Sequence, residues 1–382
     1  MFININTASH QSAPTGTFTG NRLEDLSLAV VGAGAMGSEI CRILAENSFS
    51  KVLVIDPDRL EPRNVPLSSL YQDAFSEHGT KVFEQFKAEL LVNSVREKHT
   101  LPWNSFPAEI ADAGLGRLAA CDLIISCTDS TLARVETAMA ARAVGVPMLD
   151  GGVMGEGIAA GRVSWFPPFR EAACYLCGIS EIRRAELLSY AVSTSLGCKL
   201  YEEAAAMTGA SGAIRETAAT LFQLIEAFST GESRFENSFS LRLEGDISAK
   251  SWIHNDLSLQ RSVTCPWHDV LEGGWRPLDY DCPIRDALKG SDMRLQLFWP
   301  QCLEARCRVC GYGSSPNKRV ALLRRKVVCA RCGATGSYEP VRVIDSLGVI
   351  DAAAALTPRQ LGLPEQHLYL FRRTFRAFSQ SL

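Results

Sequence analysis

Residues 28–56 read LAVVGAGAMGSEICRILAENSFSKVLVID. The apolar run 26–31 meets Gly32, Gly34 and Gly37 in the spacing G-x-G-x-x-G. Met36, Ile40, Ile43 and Leu44 then recur at three to four residues, the period of one helix face. A second apolar run, 52–55, stops at Asp56. The order is strand, glycine turn, helix, strand, acid. Glycines let backbone N–H groups approach a phosphate, and the helix N-terminus adds partial positive charge there. A carboxylate at the tip of the second strand stands where it can hold ribose hydroxyls. The stretch predicts an α/β fold built on a doubly wound, Rossmann-like mixed sheet that binds a nucleotide. Taken alone it suggests NAD as readily as ATP.

Working outward, composition narrows the class. At 382 residues, the chain should hold one large domain and a smaller one. With 46% hydrophobic residues it can bury a full core. A net charge of -3 gives no reason to expect nucleic acid or an anionic membrane as a partner. No apolar run is long enough to span a bilayer. The first residues lack the basic start and apolar core of a signal peptide, so the expected location is cytoplasmic. Thirteen cysteines in a reducing compartment read as metal ligands, a nucleophile and buried thiols rather than disulfides.

Residues 1–25, rich in Ser, Thr, Asn and Gly, read as a flexible arm. Beyond Asp56, the stretch PDRLEPRNVPLSSLY is a loop at the carboxyl ends of the strands, where doubly wound sheets bind ligands. It carries Asp58, Arg59, Arg63 and Asn64. Gly79-Thr80-Lys81 then opens a helix through Val95, with Val82, Phe86, Leu90 and Val95 on its apolar side. Lys81 falls in the first turn, and by position alone it reads as a solvated lysine. CDLIISCTDS (121–130) is a buried strand ending in a polar turn. Asp129 there can hold Mg²⁺ between phosphate oxygens or cap the next helix. The strand VPMLDGGV leads into glycine-rich MGEGIAAGRVSWFPP, where the parallel part should end and antiparallel strands begin.

The cysteines come in pairs. Cys174-x-x-Cys177 and Cys265-x-x-His268 can close one tetrahedral zinc site, each knuckle giving two ligands. Between them, STSLGCKLYEEAAAMTGASGAIRETAATLFQLIEAF ends in a helix with Ile214, Ala218, Leu221, Phe222 and Ile225 on one face. Its first half holds Cys198 beside Lys199, a thiol that a nearby cation can help ionise into a nucleophile. On those grounds alone an incidental thiol is the plainer reading. Cys307, Cys310, Cys329 and Cys332, in two knuckles around a basic, turn-rich insert, match a zinc ribbon. The metal would supply much of that module's folding energy. Cys282 and Cys302 have no knuckle partner and read as core thiols. A strand at 340–344, a helix, a turn and a final strand should follow.

VVGAGAMGSE, VLVIDPDRLEPRN, the GTK before a helix, LIISCTDS, the GGV that leads to ACYLC, and CPWH together resemble the ThiF/MoeB/HesA superfamily. Its members are adenylating enzymes related to ubiquitin-activating enzymes. The resemblance covers residues 26–268 and implies roles. Gly32, Gly34 and Gly37 would cradle ATP phosphates and Asp56 the ribose, with Asp58 in the same nucleotide-binding loop. Asn64 and Lys81 would contact phosphates, and Asp129 would hold Mg²⁺. Cys174, Cys177, Cys265 and His268 would bind structural zinc, His268 standing where the family usually has cysteine. Cys198 falls where thioester-forming members keep their nucleophile. Leu67 stands where the family usually places an arginine, which leaves Arg63 or Arg59 to reach the phosphates.

The implied function is ATP-dependent adenylation of the C-terminal carboxylate of a small ubiquitin-like protein with a Gly-ending tail. A thioester on Cys198 and transfer to a conjugating enzyme would follow, in a homodimer. Residues 26–272 would be the adenylation domain with its crossover loop. Residues 273–382 would be a zinc-ribbon docking module. A sulfur-carrier adenylyltransferase without a thioester, a scaffold that only binds a ubiquitin-like protein, and an NAD-dependent oxidoreductase are the alternatives. The paired zinc knuckles, Lys81 and CTDS argue against the last, because hydride transfer needs none of them.

Overall fold

The structure is a computed structural model that describes residues 22–98, 102–154, 159–188, 210–245, 251–268, 274–323 and 326–373. The chain divides into two compact units, one formed by 13–187 and 195–269 and one chiefly by 270–382. In the first unit, eight strands form one sheet: β1 (Ser27–Val31), β2 (Lys51–Ile55), β3 (Trp103–Phe106), β4 (Leu123–Ser126), β5 (Met148–Met154), β6 (Ala159–Phe166), β7 (Phe239–Gly245) and β8 (Trp252–Ser258). They lie in the order β3-β2-β1-β4-β5-β6-β7-β8. The pairs from β3 to β5 are parallel. The pairs from β5 to β8 are antiparallel, so the change of sense falls at the glycine-rich stretch, as its sequence predicts. Chain order reverses between β1 and β4, and ligands bind in the crevice at such a switch point.

The inner parallel strands β1, β2 and β4 are buried along almost their whole length, as expected of a sheet covered on both faces, while the edge strand β3 buries only Trp103. The helices of this unit are α1 (Ala35–Ala45), α2 (Ser69–His78), α3 (Lys87–Lys98), α4 (Leu115–Ala119), α5 (Thr131–Val144), α6 (Glu181–Leu188) and α7 (Ala210–Ser229). Helix α7 buries Ile214, Ala218, Leu221 and Ile225, while Phe222 stays partly exposed. It lies so close to β5 that a Cβ on Gly151 would stand 2.7 Å from a Leu221 methyl.

One helix departs from its sequence pattern. The segment expected to be helical from 80 to 95 is a 3-10 turn at Gly79–Glu84 followed by α3. Residues 85–87 are instead tied to the loop after β2. Leu60 donates to the Gln85 carbonyl (3.1 Å) and Lys87 to the Asp58 carbonyl (2.8 Å). That pairing fixes the extended backbone the helix would need. Lys81 therefore lies in the 3-10 turn, and Lys87 opens the helix.

The second unit is a six-stranded sheet around one long strand. Its elements are β9 (Gly274–Pro277), α8 (Ile284–Leu288), β10 (Met293–Cys307), β11 (Gly313–Ser314), β12 (Lys318–Arg319), α9 (Val320–Leu323), β13 (Tyr338–Leu347) and β14 (Leu368–Arg373). Strand β10 pairs antiparallel with β11, β12, β13 and β14. Ile284, Leu288, Leu295, Leu347, Leu361 and Phe371 form its core. Where the sequence suggests a helix after β13, the chain makes only a 3-10 turn, Ala352–Ala355. Cys302 is a core thiol. Cys282 is exposed, in the turn just before Pro283 caps α8.

Candidate nucleotide and metal sites

The glycine turn is closed by contacts that only glycine allows. Gly32 has φ +95°, and a Cβ on it would lie 2.9 Å from the Cys127 carbonyl. A Cβ on Gly37 would collide with the Gly32 carbonyl oxygen, so Gly37 lets α1 seat against the turn. Gly34 differs. A Cβ there would meet nothing within 4 Å, and Gly34 is the N-cap of α1 with no side chain capping the helix. The first-turn N–H groups of α1 thus stand uncapped at the crevice, an anion seat of the expected kind.

Asp56, only 7% exposed, follows β2. Its Oδ2 accepts from the Ala33 N–H at 2.6 Å and its Oδ1 from the Asp58 N–H at 2.8 Å. Burial pushes its carboxyl above the usual value, and these two hydrogen bonds pull it part of the way back. The Tyr71 hydroxyl of α2 donates to the Ala33 carbonyl. Both backbone polar groups of Ala33 are therefore held, and the turn is rigid before any ligand arrives. A carboxylate offers about four lone-pair sites, so Asp56 keeps acceptors for a ribose.

The loop after Asp56 places its charges less simply. Asn64 Oδ1 accepts from the Glu61 N–H at 3.0 Å. Arg63 pairs with Glu61 at 2.5 Å, and Arg59 donates to the Glu84 carbonyl and stacks 4.3 Å over Phe86. Leu67 is 39% exposed. Lys81 is exposed and, among the described residues, makes no hydrogen bond or ion pair. Lys87 is the better buried lysine, with its side chain 12% exposed and its ammonium 3.4 Å from Asp58. It also lies near enough to act electrostatically on Asp56. The sequence pattern gives no hint of it, because it reads as one more polar residue of a longer helix.

Asp129, three residues beyond β4, is exposed and has no hydrogen bond or ion pair among the described residues. The capping role falls to its neighbour: Ser130 Oγ accepts from the Ala133 N–H at 3.4 Å at the start of α5. Behind it lies a buried ionic network that sequence reasoning missed. Asp150 on β5 is fully buried. It accepts from Ser126 Oγ (3.0 Å), Arg162 Nη2 (3.0 Å) and Arg134 Nη1. A buried carboxylate persists only when paired and hydrogen-bonded in this way.

The two cysteine clusters form as their spacing predicts. Cys174, Cys177, Cys265 and His268 bring their ligand atoms within 4.8 Å of one another, and so do Cys307, Cys310, Cys329 and Cys332. Zinc–sulfur bonds of about 2.3 Å at tetrahedral angles put sulfurs about 3.8 Å apart. The Sγ atoms of Cys174 and Cys177 are 3.7 Å apart, those of Cys174 and Cys265 3.6 Å. In the ribbon, Cys307–Cys332 is 3.8 Å and Cys310–Cys329 is 3.6 Å. His268 Nδ1 lies 2.8 Å from the Arg170 carbonyl and 3.0 Å from Arg142 Nη2, which fix the ring's orientation. Nε2 faces the cysteines, 3.1 Å from Cys177 Sγ, where its lone pair could bind a metal. Both sets fit Zn²⁺, which would act there as a structural cross-link.

Residues 9–341 match the family model described as the ThiF family. The chain belongs to the ThiF family. Among its relatives, ubiquitin-like modifier-activating enzyme 5 of Oryza sativa subsp. japonica is 24% identical over 193 residues, 46% of this chain and 45% of that protein. The Xenopus laevis protein of the same name is 26% identical over 167 residues, 41% of this chain and 40% of that one. The aligned part thus spans less than half the length of these relatives. Escherichia coli MccB with ATP aligns with a TM-score of 0.46 at 14% identity, covering 64% of this chain and 67% of that one.

In this ThiF-family chain the fold brings together Gly32, Gly34, Gly37, Asp56 and Asp58 at one crevice edge, and Asp129 at the end of the adjoining strand. Lys81, Arg63 and Asn64 lie on the loop side, engaged locally or facing solvent. Cys198 lies outside the described residues. Among the described residues, no helix is long and apolar enough to cross a membrane.

Proposed function

We propose that the chain activates the C-terminal carboxylate of a small ubiquitin-like or sulfur-carrier protein, using ATP. The observation that carries this reading is Asp129: an exposed, uncommitted carboxylate beside a glycine turn whose α1 N-terminus is uncapped. The carrier's carboxylate attacks the α-phosphorus of ATP. A C–O–P bond forms, the bond from the α-phosphorus to its bridging oxygen breaks, and pyrophosphate leaves. No general base is needed, because the attacking carboxylate is already ionised. The barrier is charge repulsion and positioning. Asp129 would hold Mg²⁺, which supplies charge neutralisation at the phosphates. The N–H groups at Gly34 and the α1 N-terminus, together with Lys81 or Lys87, offset the rest, and Asp56 holds the ribose.

In the fuller form of the proposal, the Cys198 thiolate displaces AMP from the acyl adenylate and forms a thioester. The second unit then docks a conjugating enzyme that takes the acyl group, and the enzyme works as a cytoplasmic homodimer. The test is exchange of labelled pyrophosphate into ATP. It should require the carrier and collapse in Asp129→Ala; undiminished exchange in that variant removes the Mg²⁺ role. A thiol-sensitive adduct on a non-reducing gel should vanish in Cys198→Ala. If adenylation persists and no adduct forms even in the wild type, the sulfur-carrier reading without a thioester replaces the fuller one.

A further inference from the structure

Arg184 on α6 is a buried cation without an acidic partner. It is 4% exposed, and no carboxylate bonds to it among the described residues. Its Nη1 donates to the Leu176 carbonyl at 3.3 Å and its Nη2 to Thr264 Oγ1 at 2.7 Å. Leu176 precedes Cys177 and Thr264 precedes Cys265, so one guanidinium joins the two knuckles of the Cys174/Cys177/Cys265/His268 cluster. Its Nε is buried with no hydrogen-bond partner. A second arginine approaches from α5. Arg142 Nη2 lies 3.0 Å from His268 Nδ1, and Arg142 Nη1 donates to the Phe169 carbonyl at 3.1 Å. It too bonds to no carboxylate among the described residues. Burial pushes its guanidinium below the usual value, and Cys174, Cys177 and Cys265 act against that shift. A buried charge persists only when it is paired. The anion that serves both arginines is the cluster itself, because three thiolates outnumber the two charges of one Zn²⁺ and a neutral imidazole adds none.

We infer that Arg184 is a positioning residue of the zinc site: the metal-bound thiolates are its counter-ion, and through it they fasten α6 to both knuckles. The competing account is a plain brace, in which the two hydrogen bonds matter and the charge does not. The acceptors speak against it. The Leu176 carbonyl and Thr264 Oγ1 are both neutral and would serve an uncharged donor as well, without the cost of burying a cation. The coupling runs both ways. Without metal the cysteines take up protons, the anion is lost, and Arg184 is left as an uncompensated buried charge. Helix α6 then loses its seat. It is the last described element before Cys198, so the metal governs the anchor of that stretch. The inference rests on the zinc reading of the cluster and is independent of the adenylation reading.

The experiment uses the zinc-loaded full chain and follows zinc release to an excess of a chromogenic chelator, with the ribbon ion as internal control. Arg184→Gln, which keeps a hydrogen-bonding head group and loses the charge, should speed release of one ion about 10–100-fold and leave the other unchanged. Arg184→Lys, which keeps the charge but cannot make both contacts, should stay closer to wild type than the glutamine variant. Arg142→Gln, at a less buried position, should speed release of the same ion by a smaller factor. Hydrogen exchange of the peptide 181–188 gives the second readout. Chelation should deprotect it in the wild type. In Arg184→Gln it should be deprotected while zinc is still bound, so that chelation adds little. Equal acceleration by the lysine and glutamine variants overturns the inference in favour of the brace. So does an Arg184→Gln chain that releases both ions at the wild-type rate, or one whose α6 peptide responds to chelation as fully as the wild type's. A wild-type chain with no zinc in this cluster overturns the inference together with the zinc reading and leaves the adenylation reading untouched.

Discussion

The Asp56 carboxylate accepts a hydrogen bond from the Ala33 N–H at 2.6 Å, joining the end of β2 to the glycine turn after β1. Removing it in Asp56→Ala strips acceptors from two backbone N–H groups, those of Ala33 and Asp58. Each unpaired donor costs about 1–3 kcal/mol where water cannot reach it. Tyr71→Phe removes one neutral hydrogen bond to the same residue and should cost about 1 kcal/mol. Urea unfolding should therefore rank the variants Asp56→Ala, then Tyr71→Phe, then wild type in increasing stability. ATP affinity, read by calorimetry, should rise in the same order. An Asp56→Ala variant that binds ATP normally would show that the turn does not need its clamp.

Two lysines are candidates for the phosphates in the proposed reaction, and they differ in burial. Lys87 opens α3 with its side chain 12% exposed, while Lys81 stands exposed on a 3-10 turn. A partly desolvated ammonium acts through a lower dielectric than a fully solvated one. Lys87→Gln should raise the ATP dissociation constant by about tenfold or more, and Lys81→Gln by less. Equal effects, or a larger loss at Lys81, would return the phosphate role to the GTK lysine that the family resemblance selects.

Asp129→Asn isolates chemistry from folding. Its carboxylate has no partner among the described residues and Ser130 does the capping, so the melting temperature should stay unchanged. Exchange activity should drop by about a hundredfold or more, the size of losing one charged catalytic contact. Ser130→Ala should do the reverse, costing about 1 kcal/mol in stability through the lost cap and little activity. A drop in melting temperature for Asp129→Asn would mean that the residue is structural.

What could be read from the sequence follows from the range over which each signal acts. The sheet, its change from parallel to antiparallel and both cysteine clusters are written in local spacing: period, glycine turns and paired knuckles. The break before α3 is not local. It depends on residues 85–87 pairing with residues 58–60, a contact no helical period reveals. Asp150 reads as an ordinary residue of LDGG, and only the register that sets it beside Ser126, Arg134 and Arg162 makes it a buried ionic centre. Tyr71 likewise looks like a helix apolar position until its hydroxyl is found on Ala33.

The metal sites make a stoichiometric prediction. The wild-type chain should carry two zinc ions by elemental analysis, since each cluster has sulfurs spaced for one tetrahedral ion. Cys265→Ser should lose one ion and Cys310→Ser the other, each leaving its counterpart in place. A chelator should lower the melting temperature of the wild type, because structural zinc binding is coupled to folding. If Cys265→Ser retains both ions, His268 and its cysteines are a packed thiol cluster only.

His367 supplies a pH dependence of known sign. It is 6% exposed, just before β14, with its ring 4.8 Å from that of Tyr369. Burial pushes its imidazole down to about 3 from an ordinary 6.5. The unfolded chain therefore takes up a proton near 6.5 while the folded chain does not. The group's contribution to stability is fully present above the unfolded value and is lost as pH falls from there toward about 3. Between pH 7 and pH 5 the loss should be about 2 kcal/mol. Protonation of zinc ligands will add its own slope over the same range, so the informative quantity is the difference between wild type and His367→Phe. Hydrogen exchange of the β14 peptide measures it locally. Protection in the wild type should fall faster with acidification than in His367→Phe, where no imidazole is available to titrate. Parallel curves for the two proteins would mean that His367 reaches its proton without unfolding.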